Sequence, residues 1–174
     1  MFVIIVGGGK TGSHLAESLL AQGHEIRVIE GRDSVIERLR EELPDRVIVV
    51  GDGSSPSTLE NAEIDHADVL AAVTGEDESN LVICTLARFE FNVPRIIGRV
   101  NNPKNAWLFT PEMGVDVALN QSDILAKLIE EEMSLGDMMT LLKLRKGEFS
   151  VVEEKVHPQS LAAGKKLAEL KIPP

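Results

Sequence analysis

Residues 2–12 read FVIIVGGGKTG, an apolar run that breaks straight into a glycine-rich turn. Gly7, Gly9 and Gly12 stand in G-x-G-x-x-G register, and Glu30 closes a second apolar run (Ile26, Val28, Ile29) 23 positions after Gly7. A strand before, a helix after and an acid about 20 residues on are the context in which this pattern means dinucleotide binding. Each glycine has its own task. Gly7 permits the tight strand-to-helix turn, Gly9 lets backbone N–H groups approach a pyrophosphate, and Gly12 lets the helix pack closely on the sheet. The helix N-terminus adds partial positive charge facing the anion. Gly8, Lys10 and Thr11 complete the turn.

Gly9-Lys10-Thr11 also looks like the end of a Walker A loop. That loop needs another glycine five positions before Gly9, and position 4 is Ile, in the middle of the strand. The phosphate-cradling loop of that class cannot form, which excludes a Walker-type NTPase.

Glu30 bears on the choice of cofactor. A carboxylate at the end of the second strand accepts the ribose hydroxyl protons of an adenosine, and its charge repels a 2′-phosphate. NADP is therefore disfavoured, and NAD, NADH or an adenine mononucleotide fits better. Arg32, two residues on, pulls the other way, because an arginine nearby can serve NADP.

Length and composition set the frame. The chain has 174 residues, 43% of them apolar, enough for one full domain and part of a second. No window of 18 apolar residues exists to cross a membrane, and the first strand begins at Phe2, leaving no space for a signal peptide. The expectation is a soluble cytoplasmic protein. The single cysteine, Cys84, lies in the apolar run 81–84 and reads as a buried helix residue. His14, His24, His66 and His157 have no metal-ligand spacing, so no metal is expected. Net charge is −10, without a Lys/Arg cluster or interleaved aromatics, which makes the chain a poor nucleic-acid binder.

The first 120 residues alternate between β-type and α-type segments. Strands are predicted at 2–6, 25–30, 46–50, 68–73, 95–99 and 115–119, and helices at about 12–22, 33–43, 56–62, 77–91 and 103–113. Apolar runs such as Val47-Ile48-Val49-Val50 suit strands covered on both faces. The predicted fold is α/β: a doubly wound parallel (Rossmann) sheet of six strands with helices on both faces and a ligand above the strand C-termini. Residues 121–133 form a further amphipathic helix whose stripe (Ile124, Leu125, Leu128, Ile129, Met133) has no obvious partner within that sheet. Packing on a second subunit is the preferred reading, packing on a sheet edge the other. Ser134-Leu135-Gly136 reads as a hinge, Met139–Arg145 and Glu148–Lys155 as a hairpin around Lys146-Gly147, and Ala162–Lys171 as a short helix stopped by Pro173-Pro174.

Binding residues in such a sheet follow the strand ends. Gly51-Asp52-Gly53 follows the third strand, where Asp52 can accept from an adenine amino group or simply cap a turn. Thr74-Gly75 follows the fourth and lets the backbone approach a ribose or phosphate. Arg99 ends the fifth, where it either offsets phosphate charge or joins a surface ion pair, and Lys10 offers charge from the glycine turn.

Taken in order, the glycine turn, the acid after strand two, Gly-Asp-Gly after strand three, AAVTGEDESNLVICTLA over 71–87, RIIGRVNNPKN over 95–105 and MGVDVALN over 113–120 resemble the Trk/Ktr potassium-transport regulatory family. Its nucleotide-binding module is also called the RCK, KTN or TrkA-N domain. The resemblance covers residues 1–133, and 150–174 resemble only the opening of that family's C-terminal domain. It implies a nucleotide-binding domain over 1–133, then a hinge and the beginning of a truncated C-terminal domain over 134–174. It further implies a cytoplasmic regulatory subunit that binds NAD, NADH, ATP, ADP or AMP. Such subunits form homodimers or higher oligomers (gating rings) and sit at the inner face of the membrane through a potassium channel or transporter. Carried over, Gly7, Gly8, Gly9, Lys10, Thr11, Gly12, Glu30, Asp52, Gly53, Thr74, Gly75 and Arg99 become the nucleotide site. Position 10 is often arginine in the family, so Lys10 keeps the charge without the bidentate geometry.

The competing class is a small dimeric NAD-dependent dehydrogenase of the precorrin-oxidising type, which has a similar N-terminal glycine turn. Hydride transfer usually needs an acid–base residue beside the nicotinamide. The chain has no tyrosine, and its histidines lie away from the predicted strand ends except His24 and His66. No catalytic residue is assigned, and a regulator is expected rather than an enzyme.

Overall fold

The computed structural model describes residues 1–133, 138–144, 149–154, 158–160, 162–166 and 170. By its contacts the chain divides into two compact units, Met1–Ile124 and Leu125–Pro174.

In the first unit six strands, β1 (Phe2–Val6), β2 (Glu25–Glu30), β3 (Ile48–Val50), β4 (Val69–Ala72), β5 (Arg95–Val100) and β6 (Val117–Asn120), form one sheet in the order β3-β2-β1-β4-β5-β6. Every pairing is parallel. The doubly wound sheet expected from sequence is the fold. Its topological switch point lies between β1 and β4, where crossovers leave in opposite directions and open a crevice. Register fixes what meets there: Val6 pairs with Ile29 on one side and Ala72 on the other. Gly7, Glu30 and Val73, each the next residue along, therefore arrive at one level.

Helices cover both faces because the strands are apolar on both. α1 (Lys10–Ala21) and α2 (Asp33–Glu42) bury Ala16 and Leu39 against Val3, Ile5, Ile26 and Val28. α3 (Pro56–Asn61) and α4 (Asp77–Phe89) bury Leu59, Ile83, Cys84 and Ala87 against Ile4, Leu70, Ile96 and Val100 on the other face. Alternate residues of one strand thus serve opposite layers, as in β1 with Ile4 and Ile5. Cys84 is buried as expected, and burial, with the Asp116 carboxylate nearby, pushes its thiol pKa up to about 12.

One predicted helix is corrected. Residues 103–113 form two 3-10 segments, Pro103–Leu108 and Pro111–Met113, in place of an α-helix. Pro111 has no N–H to continue a helical ladder, and Gly114 at φ 89° turns the chain in the left-handed region.

α5 (Gln121–Met133) follows β6. Its stripe is exposed: Ile124, Leu125, Leu128, Ile129 and Met133 retain 47–73% of their surface. In the second unit β7 (Met138–Leu144) and β8 (Phe149–Glu154) pair antiparallel with an irregularity between Thr140 and Leu142. Residues 162–164 make a turn, where the sequence suggested the start of a helix. The predicted hinge at 134–136, the Lys146-Gly147 turn and the Pro173-Pro174 stop lie outside the described residues.

Candidate functional site

The strand tips enclose a cleft of about 310 Å³ lined by Gly7, Glu30, Arg32, Asp52, Gly53, Thr74, Gly75, Glu76, Ser79 and apolar neighbours. That volume is at the small end for an organic ligand.

The glycines of this region divide by what holds them. Gly7 sits at φ +109°, and a Cβ there would lie 3.0 Å from the Thr74 nitrogen. At Gly12 a Cβ would come within 1.8 Å of the Gly7 carbonyl oxygen, at Gly53 within 2.1 Å of Val6, and at Gly8 within 2.4 Å of Leu39. The fold itself requires those four. Gly9 and Gly75 are different. Gly75 has no neighbour within 4 Å of its missing Cβ, and Gly9 has only the Arg32 guanidinium at 4.0 Å. Gly9 has φ −65°, which any residue can adopt. Packing does not ask for glycine at these two positions, which leaves room for a ligand's close approach there.

Gly9 is also the N-cap of α1, with no side-chain cap and no acid in the first turn. The partial positive charge of the helix start is therefore offset by no acid within its own first turn, and the nearest carboxylate is that of Glu30 on the Gly8 N–H. Lys10 and Thr11 are exposed residues of that first turn and lie outside the cleft lining.

Glu30 is 5% exposed and accepts a dense set of hydrogen bonds. Its Oε2 accepts from the Gly8 N–H (2.9 Å) and from Arg32 Nη2 (2.8 Å). Its Oε1 accepts from the N–H groups of Gly31 and Arg32 and from Arg32 Nε, each at 2.9 Å. Burial opposes the charge, but the Arg32 side chain and the backbone donors outweigh it and hold the carboxyl at a pKa of about 2. From α2, Arg38 Nη2 donates to the Gly8 carbonyl at 2.9 Å, so the turn is gripped on both its polar groups.

Asp52 lines the cleft and also caps its own turn, accepting from the Ser54 N–H (2.9 Å) and hydroxyl (2.7 Å), which lower its pKa. Arg99 is outside the lining. On β5 it shares a face with Ile97, opposite to Ile96, Gly98 and Val100 on the α4 side, where the cleft residue Ile83 lies. Its main chain is what reaches the site: the Arg99 carbonyl accepts from Asn80 Nδ2 at 2.9 Å.

Two residues that the sequence reading passed over shape the β4 end. Asn80, fully buried, accepts from the Thr74 N–H (2.9 Å) and hydroxyl (2.7 Å) at its Oδ1 and donates to the Thr74 carbonyl (3.3 Å). Asp77 accepts from the Asn101 and Asn102 N–H groups (2.6 and 3.0 Å) and from Asn105 Nδ2 (2.9 Å), while Asn101 Nδ2 also donates to the Thr74 carbonyl (3.1 Å). The available signal was Asn80 itself, one turn before Cys84 on the apolar face of α4, where a polar residue demands partners.

A family model described as the TrkA-N domain matches residues 3–121. The chain is 36% identical over 173 residues to the "Trk system potassium uptake protein TrkA" of Mycobacterium tuberculosis (strain CDC 1551 / Oshkosh), an alignment spanning 99% of this chain and 78% of that protein. Among solved structures it resembles the TrkA-N domain of inner membrane protein ybaL from Escherichia coli, with TM-score 0.68 and 24% identity, covering 76% of this chain and 96% of that one. It also resembles the GsuK channel bound to NAD, with TM-score 0.62 and 26% identity, over 76% of this chain and 24% of that one.

Proposed function

This chain belongs to the TrkA-N domain family, and from that premise we propose that it is a regulatory subunit that controls potassium flux through a membrane channel or transporter by binding an adenine nucleotide. The observation that carries the nucleotide half is a pair of glycines with open space where a side chain would sit, Gly75 in the cleft lining and Gly9 outside it beside the lining residue Arg32. Backbone approach to phosphate and ribose is the use such positions have at the switch point of a doubly wound sheet. NAD, NADH, ATP, ADP and AMP share the adenosine and phosphate that this cleft suits. Glu30, ionised and buried at the end of β2, disfavours a 2′-phosphate and hence NADP.

The regulatory half rests on family membership and on what the cleft offers chemically. Its lining among the described residues includes no Lys, His, Tyr or Cys, and two of its three carboxylates, Glu30 and Asp52, already accept from Arg32, backbone and Ser54 donors, which is limited provision for proton transfer beside a nicotinamide. Binding that changes the population of assembly states needs no such group. No helix among the described residues is long and apolar enough to cross a membrane; a membrane channel or transporter as partner belongs to the family reading. A cytoplasmic site of action and a homodimer or larger ring belong to this reading, with the exposed α5 stripe as one interface.

Calorimetric titration with NAD, ADP, AMP and NADP tests the nucleotide half. Binding of the first three, with NADP weaker than NAD, is expected, and indifference to all four overturns it. Potassium uptake in cells lacking this chain should respond to its return, and less so when Gly9→Val is returned instead.

A further inference from the structure

Glu30 receives five donors, while a carboxylate has about four lone-pair sites. Three of the donors are backbone N–H groups of Gly8, Gly31 and Arg32, placed by the turn. The other two are Nε and Nη2 of the Arg32 side chain, which is 63% exposed and free to leave on its outer side. A ribose diol can therefore be accepted by Glu30 only in exchange for Arg32. The same Nη2 lies 4.0 Å from the missing Cβ of Gly9 at the start of α1, where the nucleotide reading puts the phosphates.

We infer that Arg32 determines the specificity of this cleft by exchange: as Glu30 takes the ribose hydroxyls, the Arg32 guanidinium transfers to the phosphates of the same nucleotide. The inference rests on the nucleotide reading above and goes further in assigning a selective role to a residue outside the glycine motif. Adenosine alone displaces Arg32 and returns nothing to it. A nucleoside diphosphate or dinucleotide replaces one charge-assisted, bidentate partner by another, so the exchange is close to neutral and the phosphates supply the net gain. Recognition of ribose and of phosphate is then coupled through one side chain, and ligands rank by the phosphate they carry.

The test is calorimetry of adenosine, AMP, ADP and NAD on the wild-type chain, Arg32→Ala and Arg32→Lys, with a thermal melt of each variant to establish that it is folded. Arg32→Ala should weaken ADP and NAD about tenfold while tightening adenosine about threefold, because Glu30's acceptors are released. Arg32→Lys should keep part of the ADP affinity. Equal weakening of adenosine and ADP in Arg32→Ala marks a merely structural pair and overturns the inference, as does no change in either. A wild-type chain that binds none of the four overturns the nucleotide reading itself, a result distinguishable from failure of the exchange alone.

Discussion

The Gly8 N–H donates to Oε2 of Glu30 at 2.9 Å, joining the glycine turn after β1 to the acid at the end of β2 across 22 positions of sequence. The glycine turn and the β2 end of the cleft are thus tied together before any ligand is considered. A carboxylate held by backbone donors cannot drift relative to the turn that presents Gly9.

That bond has a pH signature. The Glu30 carboxyl is lowered from its ordinary value of 4.5 to about 2 by its Arg32 and backbone partners, against the opposing effect of burial. A group with a lowered folded-state pKa stabilises the fold above its unfolded value, and the contribution fades as pH falls through the folded value. Glu30 should therefore contribute about 3 kcal/mol at neutral pH, lost between pH 4.5 and 2. Urea unfolding of the wild type and Glu30→Gln across that range should show the difference shrinking; a constant difference refutes the assignment.

The two kinds of glycine predict opposite outcomes. Gly9→Val has space around its Cβ and an ordinary φ, so stability should change by less than about 1 kcal/mol while NAD and ADP binding is lost. Gly12→Ala puts a Cβ at 1.8 Å from the Gly7 carbonyl and should cost about 3 kcal/mol or more. Denaturant midpoints and calorimetry together separate the two, and a Gly9→Val chain that still binds ADP normally removes the phosphate role.

Asn80→Leu leaves the Thr74 N–H and the Arg99 carbonyl without their side-chain partner in a buried setting. The expected loss is about 2–4 kcal/mol, read from chemical unfolding. Nucleotide affinity should fall as well, because the segment Thr74-Gly75 is no longer held. A stability change under about 0.5 kcal/mol would show that this network is incidental.

The α5 stripe should hold a homodimer. Burying an aliphatic side chain of this size is worth about 1.5–3 kcal/mol relative to leaving it exposed, and five stand exposed on one helix. Light scattering should report a dimer for the wild type and a monomer for Leu125→Glu, Leu128→Glu. Persistence of the dimer moves the interface elsewhere on the chain.

The sheet was legible because its signals are local. The strand β1, the turn with its three registered glycines and the acid at 30 lie within one βαβ unit, and apolar runs mark the other strands. Residues 103–113 misled because their apolar content suits a helix, while Pro111 and the left-handed Gly114 break the ladder. Of the twelve residues expected at the site, Gly7, Glu30, Asp52, Gly53, Thr74 and Gly75 line the cleft, and Gly8, Gly9, Lys10, Thr11, Gly12 and Arg99 lie outside its lining. Arg99 shows the limit of reading a site from position after a strand. It stands at a strand end, but strand alternation assigns its side chain to the other face. Asn80 and Asp77 were harder still, because their partners lie up to 28 residues away and become visible only when β4 and β5 are side by side.

The Thr74 carbonyl, shared by Asn80 and Asn101, also makes a built-in reporter. Asn101 leads directly into the 3-10 segment Pro103–Leu108, which carries Trp107, the chain's single tryptophan, at 73% exposure. Two side-chain amides, Asn80 reaching the Arg99 carbonyl and Asn101 just past β5, join the Thr74 carbonyl to the chain that leads to that indole. Intrinsic fluorescence, with no label attached, should then follow occupancy of a cleft to which Trp107 itself does not belong.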